Sequence, residues 1–366
     1  MGDKYTGQGH LKKEQVLECL VPPKLIPQQK LVCTRAVRDG QFNISIEKQG
    51  SKTVVHCYGF GGAGWTVLFG AVARAVELLV PQPRRPVRVV GAGCMGLLAA
   101  IELTKLGFPV RIVADELYDI PSWKAAGYFA MVSVKTSPEY QAELDAMGRN
   151  TFRAYQKVER GEHPFLTPET TRLMPVYASE ATPMGLEELE AGGLIPARES
   201  VVLDFGTVQH PGYLKFKTYF LDTTLIMKQL HAHVKQLYIP IDRHRVGSWQ
   251  EVAEEIVFNA AGFGGRELVR DETVVPVKGH LITLQSQSPA PHMDYMIYTD
   301  VLQGDKKERI YLFPKNLSVT REVPHGTPCS GVLGGTFVHP GTATTDEREF
   351  ERMLQRAELF FTGKVF

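Results

Sequence analysis

The chain has 366 residues, 43% of them hydrophobic, and its 41 Lys and Arg residues nearly balance 40 Asp and Glu residues. This length allows two domains, and the balanced charge excludes a strongly basic nucleic-acid groove or membrane-binding surface, so a small-molecule partner is expected. No apolar stretch reaches the roughly 20 residues of a membrane span. Scattered cysteines without CxxC pairing and the lack of a signal-peptide pattern predict a cytoplasmic protein without a metal site. The cysteines are Cys19, Cys33, Cys57, Cys94 and Cys329.

The first part of the chain is predicted to contain an extension, a strand–loop–helix unit and a connector. Residues 1–27 are polar and interrupted by prolines, so we expect an extension without a chemical role. Strands are predicted at 31–35 and 54–58, and one apolar helical face predicts a helix over 65–80. The proline-rich segment 81–86 cannot continue this helix and is expected to run extended.

The remainder is predicted to be an α/β protein with an antiparallel region towards its end. A strand at 87–90, a glycine turn, a helix at 94–106 and a strand at 110–114 form a compact βαβ unit. Alternating β-branched residues between Pro and Gly turns predict an antiparallel sheet over 274–337. Further helices are predicted at 139–158, 223–237 and 348–361, and a buried strand that runs into a glycine turn at 256–262.

A GxGxxG motif opens the βαβ unit, with Gly91, Gly93 and Gly96 in the glycine positions. In such a motif the first glycine makes the turn, the second lets the backbone approach a pyrophosphate, and the third lets the helix pack against the strand. An acidic residue about 20 positions later is expected to bind the ribose hydroxyls, and Asp115 or Glu116 stands there. Strand, helix, second strand and acid together predict a dinucleotide site; a purely structural turn is the alternative.

A second glycine-rich run lies earlier in the chain, at residues 59–64, and opens the helix predicted at 65–80. An NAD site does not need a second glycine-led helix, whereas a flavin enzyme uses one near the pyrimidine end of the isoalloxazine ring. There the helix dipole favours the negative charge that develops on the reduced flavin. The two runs together predict FAD as the cofactor, and the alternative is a glycine-rich hairpin without a chemical role.

The two glycine runs and several further segments resemble the D-amino-acid oxidase family. That family ends with a His-x-Tyr-Gly-x-Gly-Gly-x-Gly loop and a helix, which residues 56–64 resemble, and begins with a strand and GxGxxG motif, which residues 87–96 resemble. The resemblance covers residues 30–361 only if the chain is read from Val87 to its end and then from its start. The chain thus resembles a circular permutation of the family. Further matching segments are Ala-Asp at 114–115, Ala-Ala-Gly at 125–127, Asn-Ala-Ala-Gly at 259–262, Lys-Gly-His at 278–280 and Leu-Gly-Gly-Thr-Phe at 333–337.

The resemblance implies an α/β fold of circularly permuted order, with a Rossmann-like FAD-binding domain and a mostly antiparallel β-sheet substrate domain. The implied divisions are an extension at 1–27, the permuted C-terminal segment at 28–80, the connector at 81–86, the FAD-binding domain at 87–150 and 223–266, the substrate domain at 151–222 and 267–345, and a C-terminal helix at 346–366. The implied FAD-binding residues are Gly61, Gly62, Ala63, Gly64, Trp65, Thr66, Gly91, Gly93, Cys94, Met95, Gly96, Asp115, Glu116, Ala126, Gly127, Val246, Ala261 and Gly262.

The same resemblance implies two substrate-binding residues, Arg35 and Tyr311. In the family, an Arg of an Arg-Pro-x-Arg-Pro stretch grips the substrate carboxylate bidentately. The sequence here keeps Arg35 and Arg38 but neither proline, and Arg38 is interpreted as a structural partner. Tyr311 matches a family Tyr, in Tyr-Ile-Ile-Pro, that donates its hydroxyl to the same carboxylate. Lys307 stands where the family has a second Tyr, a departure that bears on the lid and the substrate range.

The implied activity is the FAD-dependent oxidation of a D-amino acid. Arg35 and Tyr311 would hold the substrate so that its Cα–H faces flavin N5, and hydride transfer would give an imino acid that hydrolyses to a 2-oxo acid and ammonia. Dioxygen would reoxidise the flavin and yield hydrogen peroxide. The family's acid-selective members carry an Arg near 336–338 that is missing here, which favours a neutral or apolar substrate side chain.

Other functions stay open at this point. The alternatives are a glycine- or sarcosine-type amine oxidase, an NAD-dependent dehydrogenase and a non-catalytic flavin-fold protein. The expected partners are the amino-acid substrate and dioxygen, and a homodimer is compatible with the sequence.

Overall fold

The computed structural model describes residues 15–134, 136–287, 293–303, 306–315 and 330–364. Within these ranges, fifteen strands form a six-stranded and a nine-stranded sheet, accompanied by eight α-helices. This is the α/β fold that the sequence predicts, with one largely parallel and one largely antiparallel sheet. Expectations that fall on residues 1–14, on Cys329 and on 365–366 lie outside the described residues.

The elements are numbered in chain order. The strands are β1 (Val16–Cys19), β2 (Pro27–Arg38), β3 (Asn43–Gln49), β4 (Lys52–Tyr58), β5 (Val87–Val90), β6 (Val110–Ala114), β7 (Thr171–Ser179), β8 (Glu199–Asp204), β9 (Gln209–Leu221), β10 (Ile241–Arg243), β11 (Ile256–Asn259), β12 (Val274–Ser286), β13 (Met296–Gln303), β14 (Lys306–Lys315) and β15 (Ser330–Gly334). The helices are α1 (Gly64–Glu77), α2 (Cys94–Lys105), α3 (Pro121–Lys124), α4 (Pro138–Glu159), α5 (Glu187–Ala191), α6 (Thr223–Gln236), α7 (Gly264–Val269) and α8 (Asp346–Thr362).

The six-stranded sheet has the order β10-β6-β5-β11-β4-β3 and is parallel except for β3. Its central strands β4, β5 and β11 are short, mostly apolar runs with side chains buried on both faces, which is typical of parallel sheets. Strand β11 pairs with both β5 and β4, although β4 comes first in the chain. The loops that follow β4, β5 and β11, including both glycine runs, therefore lie at one edge of the sheet.

Helix α1 packs against both α2 and α4. Helices α1 and α4 come close together at Gly70, where a Cβ atom would lie 2.3 Å from the carbonyl oxygen of Met147. The five helices predicted from apolar periodicity, α1, α2, α4, α6 and α8, are all present, with ends shifted by a few residues. Across the described ranges, no helix combines the length and apolar character needed to cross a bilayer.

The nine-stranded sheet has the order β1-β8-β9-β7-β13-β14-β15-β12-β2. It is antiparallel except for the pairs β1–β8 and β7–β13. Strands β12 to β15 confirm the antiparallel region predicted over 274–337, whereas no local pattern predicted β7, β8 and β9. Strand β2 pairs with β12 over nearly its whole length and brings Arg35 opposite Val277. The N-terminal arginine is thereby built into the same sheet as Tyr311.

The N-terminal segment differs from the expected extension. Residues Val16–Cys19 form an edge strand that pairs in parallel with β8, and Glu18 accepts hydrogen bonds from Tyr177 and Lys215. Four residues with little alternation carry almost no local strand signal. Its pairing partner, β8, lies far away in the chain, so only the folded sheet reveals this strand.

Candidate functional site

A cavity of about 730 Å³ is lined by residues of both sheets. Its volume is that of a site for a cofactor or drug-sized ligand. Arg35 and Tyr311 line it together with all the predicted cofactor residues except Ala63 and Gly96. The cofactor residues in the wall are Gly61, Gly62, Gly64, Trp65, Thr66, Gly91, Gly93, Cys94, Met95, Asp115, Glu116, Ala126, Gly127, Val246, Ala261 and Gly262.

The β5–α2 turn forms one end of the cavity and depends on glycine. Gly91 has φ +110°, and a Cβ atom there would lie 2.4 Å from the carbonyl oxygen of Ala260. Gly96 lies behind the wall because its own Cβ would lie 2.0 Å from the Gly91 carbonyl oxygen, so it serves close packing of α2. Helix α2 starts at Cys94 without an acidic residue in its first turn. Its N-terminus therefore presents a positive dipole end to the cavity.

Cys94 itself is a packing residue. Its side chain is 6% exposed, and burial raises the pKa of the thiol to about 11, so it remains protonated at neutral pH. Its backbone N–H donates to Ser122 Oγ at 3.1 Å. Burial outweighs the hydrogen bonds from Ser122 and from the backbone at the start of α2, which act to lower the pKa of this thiol, so the cysteine is not activated.

The second glycine run forms another part of the wall, at the start of α1. Ala63 is the buried residue before the helix and lies behind the wall, while Gly62 donates its N–H to the Ser133 carbonyl at 2.9 Å. Thr66 Oγ1 donates to the Ala130 carbonyl at 3.0 Å. Trp65 is 6% exposed, and its buried Nε1 has no hydrogen-bond partner among the described residues.

The two candidate ribose acids differ in their surroundings. Glu116 accepts hydrogen bonds from the backbone N–H groups of Tyr118 and Leu117, which lower the pKa of its carboxyl group, and it pairs with Arg243 at 3.1 Å. The Asp115 side chain is 65% exposed and lies 3.9 Å from Arg245. The carboxylate of Glu116 is thus already hydrogen-bonded within its own loop, and Asp115 is the better placed of the two to bind a ligand.

Arg35 lies in the cavity wall beside the second glycine run, since a Cβ atom on Gly62 would lie 3.7 Å from its Cδ. Its guanidinium group rests on the backbone of β12, since a Cβ atom on Gly279 would lie 2.4 Å from Nη1. Nη1 donates to the Thr336 carbonyl at 3.1 Å, and the Phe337 ring centroid lies 4.6 Å from Cζ. Within the described residues Arg35 has no carboxylate partner, whereas Arg38 pairs with Asp271 at 2.8 Å. Arg35 is therefore available to an anionic ligand.

A buried network behind Arg35 holds Thr336 in place. His280 is fully buried, its backbone N–H donates to Thr336 Oγ1 at 2.8 Å, and its Nδ1 lies 2.8 Å from the same oxygen. Its Nε2 lies 3.0 Å from Asp346 at the start of α8. If the Thr336 hydroxyl donates to Nδ1, Nε2 carries the proton and donates to Asp346. The sequence pattern drew attention to this segment but did not reveal the network.

Tyr311 lies beside Arg35 and is 7% exposed. Its ring covers Gly334, where a Cβ atom would lie 2.2 Å from the hydroxyl. Burial raises the pKa of Tyr311 to about 12, against the opposing effect of Arg35, so the hydroxyl is a hydrogen-bond donor at neutral pH. Tyr311 stacks on Phe313 at 4.6 Å, and Phe313 stacks on Tyr128 at 4.8 Å. These rings give this part of the cavity an aromatic wall.

Two charged residues of β14, Glu308 and Arg309, form ion pairs. Arg309 forms a bidentate ion pair with Asp300 across β13 and β14 and covers the Tyr298 ring at 4.4 Å. Glu308 pairs with Arg352 and Arg356 of α8. Lys307, the departure from the family pattern, is exposed. The charge of Arg309, beside the Tyr298 ring, is thus already neutralised by Asp300.

Lys315, at the end of β14, is a residue that the sequence did not single out. It is 4% exposed and donates to the carbonyl oxygen of Ala125 and to other neutral acceptors beside the cavity. Burial lowers the pKa of Lys315 to about 8, so the ammonium form prevails at pH 7. Gly127, two residues after Ala125, has φ +80°, and a Cβ there would lie 1.9 Å from the Leu221 carbonyl oxygen. The segment around Ala126 is thus tightly confined.

A sequence model of a known family matches this chain, as do a number of solved structures. The model described as FAD dependent oxidoreductase (DAO) matches residues 87–365. The chain is similar to iminodiacetate oxidase (IdaA) from Chelativorans sp. BNC1, with 14% identity, 76% of this chain and 79% of that chain covered, and a TM-score of 0.49. It is also similar to glycine oxidase from Bacillus cereus ATCC 14579, with 14% identity, 75% and 77% covered, and a TM-score of 0.44. Because the family model matches well over half of the chain, the protein belongs to the FAD-dependent oxidoreductase family, and its cofactor is FAD.

Proposed function

We propose that this FAD-dependent oxidoreductase is an oxidase of D-amino acids with neutral or apolar side chains, releasing a 2-oxo acid, ammonia and hydrogen peroxide. The observation that carries the proposal is the placement of Arg35, which has no carboxylate partner in the described part of the chain, beside the Tyr311 hydroxyl. Both lie in the same cavity as the two glycine-led helix starts. A carboxylate ligand there would accept two hydrogen bonds from the guanidinium group and one from the phenol hydroxyl.

The cavity wall fits FAD. We assign the pyrophosphate to the start of α2, where Gly91 and Gly93 let the ligand approach the backbone, and a ribose to Asp115. The isoalloxazine is assigned to the start of α1, where Gly64, Trp65 and Thr66 line the cavity and the helix presents its positive dipole end. Bound FAD supplies the acceptor for the substrate hydride and passes the electrons to dioxygen.

The residues around the substrate bind and orient it. Arg35 and Tyr311 hold the carboxylate, and Phe337 covers the guanidinium group on one side. A substrate whose amine enters deprotonated requires no side-chain base, so orientation supplies most of the rate enhancement. The aromatic wall excludes water and suits an apolar side chain. Because Asp300 neutralises Arg309, a second substrate carboxylate would find no unpaired cation there among the described residues.

We also propose that the chain is a circular permutation of its family, with the domain divisions given above. The family model begins at residue 87, while β4 and α1 precede this residue and yet complete the six-stranded sheet and its helical layer. Permutation is physically tolerable where the joined ends lie at the surface. The segment 81–86, between α1 and β5, is the corresponding connector.

The proposal is tested by measuring peroxide release from the FAD-loaded protein with D- and L-amino acids, glycine, sarcosine and iminodiacetate. We expect turnover of D-amino acids with apolar side chains and little turnover of L-amino acids or of the dicarboxylate. Turnover of sarcosine or glycine with no D-amino acid would replace the proposal by an amine oxidase. A protein with a flavin spectrum and no turnover of any of these compounds would contradict it.

A further inference from the structure

Lys315 has no part in the proposed reaction, and yet it places a charge in the protein interior. The side chain is 4% exposed, and its Nζ donates to the Trp123 carbonyl at 2.8 Å, the Ala125 carbonyl at 2.5 Å and Thr223 Oγ1 at 2.9 Å. These acceptors use all three N–H groups of the ammonium, and all three are neutral. The ammonium group is therefore fully hydrogen-bonded by neutral groups, and Asp222 acts on it through space and opposes the lowering of its pKa without making one of these three hydrogen bonds.

Stability alone does not account for this lysine. Moving an ammonium group out of water costs free energy that neutral hydrogen bonds return only in part, and apolar side chains often replace buried charges without loss of stability. The lowered pKa of Lys315 reflects the same cost of burial. A buried charge of this kind beside a ligand cavity is a candidate functional group.

The three acceptors show what the lysine connects. Trp123 and Ala125 belong to α3 and the segment after it, whose residues Ala126 and Gly127 line the cavity. Thr223 opens α6, and its hydroxyl donates to the Ala125 carbonyl as well, at 2.9 Å. Lys315 itself ends β14, four residues after Tyr311. One ammonium group thus joins the strand that carries Tyr311 to the backbone in the cavity wall.

We infer that Lys315 is a positioning residue for the cofactor: it fixes the wall segment 125–127 against β14 and sets a positive charge beside the cavity. Fixing this segment preorganises the cofactor pocket and ties its wall to Tyr311. The charge stabilises the reduced, negatively charged flavin relative to the oxidised one, because charges near the ring tune its potential. The inference rests on the FAD placement in the proposed function, but not on the identity of the substrate.

The test compares three variants of the FAD-loaded protein without substrate. Lys315→Met removes charge and donors, Lys315→Gln removes the charge and keeps an N–H donor, and Lys215→Met is the control. Lys215 is a partly buried lysine of the same sheet that pairs with Glu18 outside the cavity. The readouts are the Kd for FAD, from flavin fluorescence on dilution, and the anaerobic midpoint potential of the bound flavin.

We expect Lys315→Met to weaken FAD binding by about tenfold or more, the equivalent of one lost charge-assisted hydrogen bond. Both Lys315 variants should have a lower midpoint potential than the wild type, and Lys215→Met should change neither quantity. If Lys315→Met does not fold, the potential of Lys315→Gln decides. An unchanged potential in the folded Lys315 variants would overturn the inference, since a purely structural lysine would alter stability and not the potential. If no amino acid in the panel of the proposed function is turned over, these measurements on the bound flavin are unaffected.

Discussion

Replacing Arg35 by Met is expected to abolish carboxylate recognition while the flavin stays bound. Arg35 donates a hydrogen bond to the Thr336 carbonyl, lies within hydrogen-bond reach of the Tyr311 hydroxyl, and has no carboxylate partner in the described ranges. A bidentate carboxylate complex would add two charge-assisted hydrogen bonds, each worth about 1.5–3 kcal/mol. Their loss, about 3–6 kcal/mol, corresponds to a decrease in kcat/KM of about two to four orders of magnitude.

Arg38→Met is a matched control because Arg38 lies on the same strand and has its own partners. Its Nε pairs with Asp271 at 2.8 Å, and the Tyr58 hydroxyl donates to the same carboxylate oxygen at 2.8 Å. Both members of the ion pair are mostly buried, so removing Arg38 should lower the free energy of unfolding by about 1–3 kcal/mol. We expect KM to stay near its wild-type value in this variant.

The assay combines steady-state peroxide release with the flavin absorption spectrum and the thermal unfolding midpoint. In Arg35→Met, kcat/KM should collapse while the unfolding midpoint and the bound flavin change little. In Arg38→Met, the unfolding midpoint should fall while kcat/KM is largely kept. A kcat/KM of Arg35→Met within about threefold of wild type, less than about 0.7 kcal/mol, would refute the assignment of Arg35.

Three further predictions address the cofactor turn, the tyrosine and the network behind Arg35. Gly91→Ala should abolish FAD binding in a fluorescence titration, because the new Cβ would lie 2.4 Å from the Ala260 carbonyl oxygen and the backbone has a positive φ there. Gly264→Ala is the control and should bind FAD normally, because the atom nearest to its new Cβ lies 3.8 Å away. Burial raises the pKa of Tyr311 to about 12, so the phenol stays protonated above the ordinary tyrosine pKa. The pH profiles of kcat/KM for wild type and Tyr311→Phe should therefore have the same shape from pH 7 to about 10. A decrease at alkaline pH seen only in the wild type would contradict this. Thr336→Val should raise KM and lower the unfolding free energy by about 1–3 kcal/mol, because it leaves the buried His280 N–H without its acceptor, and Thr336→Ser should restore both.

The fold and the cofactor followed from short-range patterns. The spacing of Gly91, Gly93 and Gly96 indicates a turn whose backbone conformation depends on one short segment of the chain. Apolar periodicity predicted the five long helices. The family match confirms FAD and the oxidoreductase class. The strands between 171 and 221 were missed because their pairing partners, and not their own pattern, stabilise them.

The proposed substrate residues depend on contacts between distant parts of the chain. The family resemblance singled out Arg35 and Tyr311 as candidates, but the pairing of β2 with β12 and of β14 with β15 brings them together. The same long-range contacts leave Arg35 without a carboxylate in the described residues, neutralise Arg309 with Asp300 and bury Lys315 against the cavity wall. Local patterns record backbone geometry and amphipathic faces. The charge state and the partners of a side chain depend on residues that are distant in the chain, so they can be read only from the folded structure.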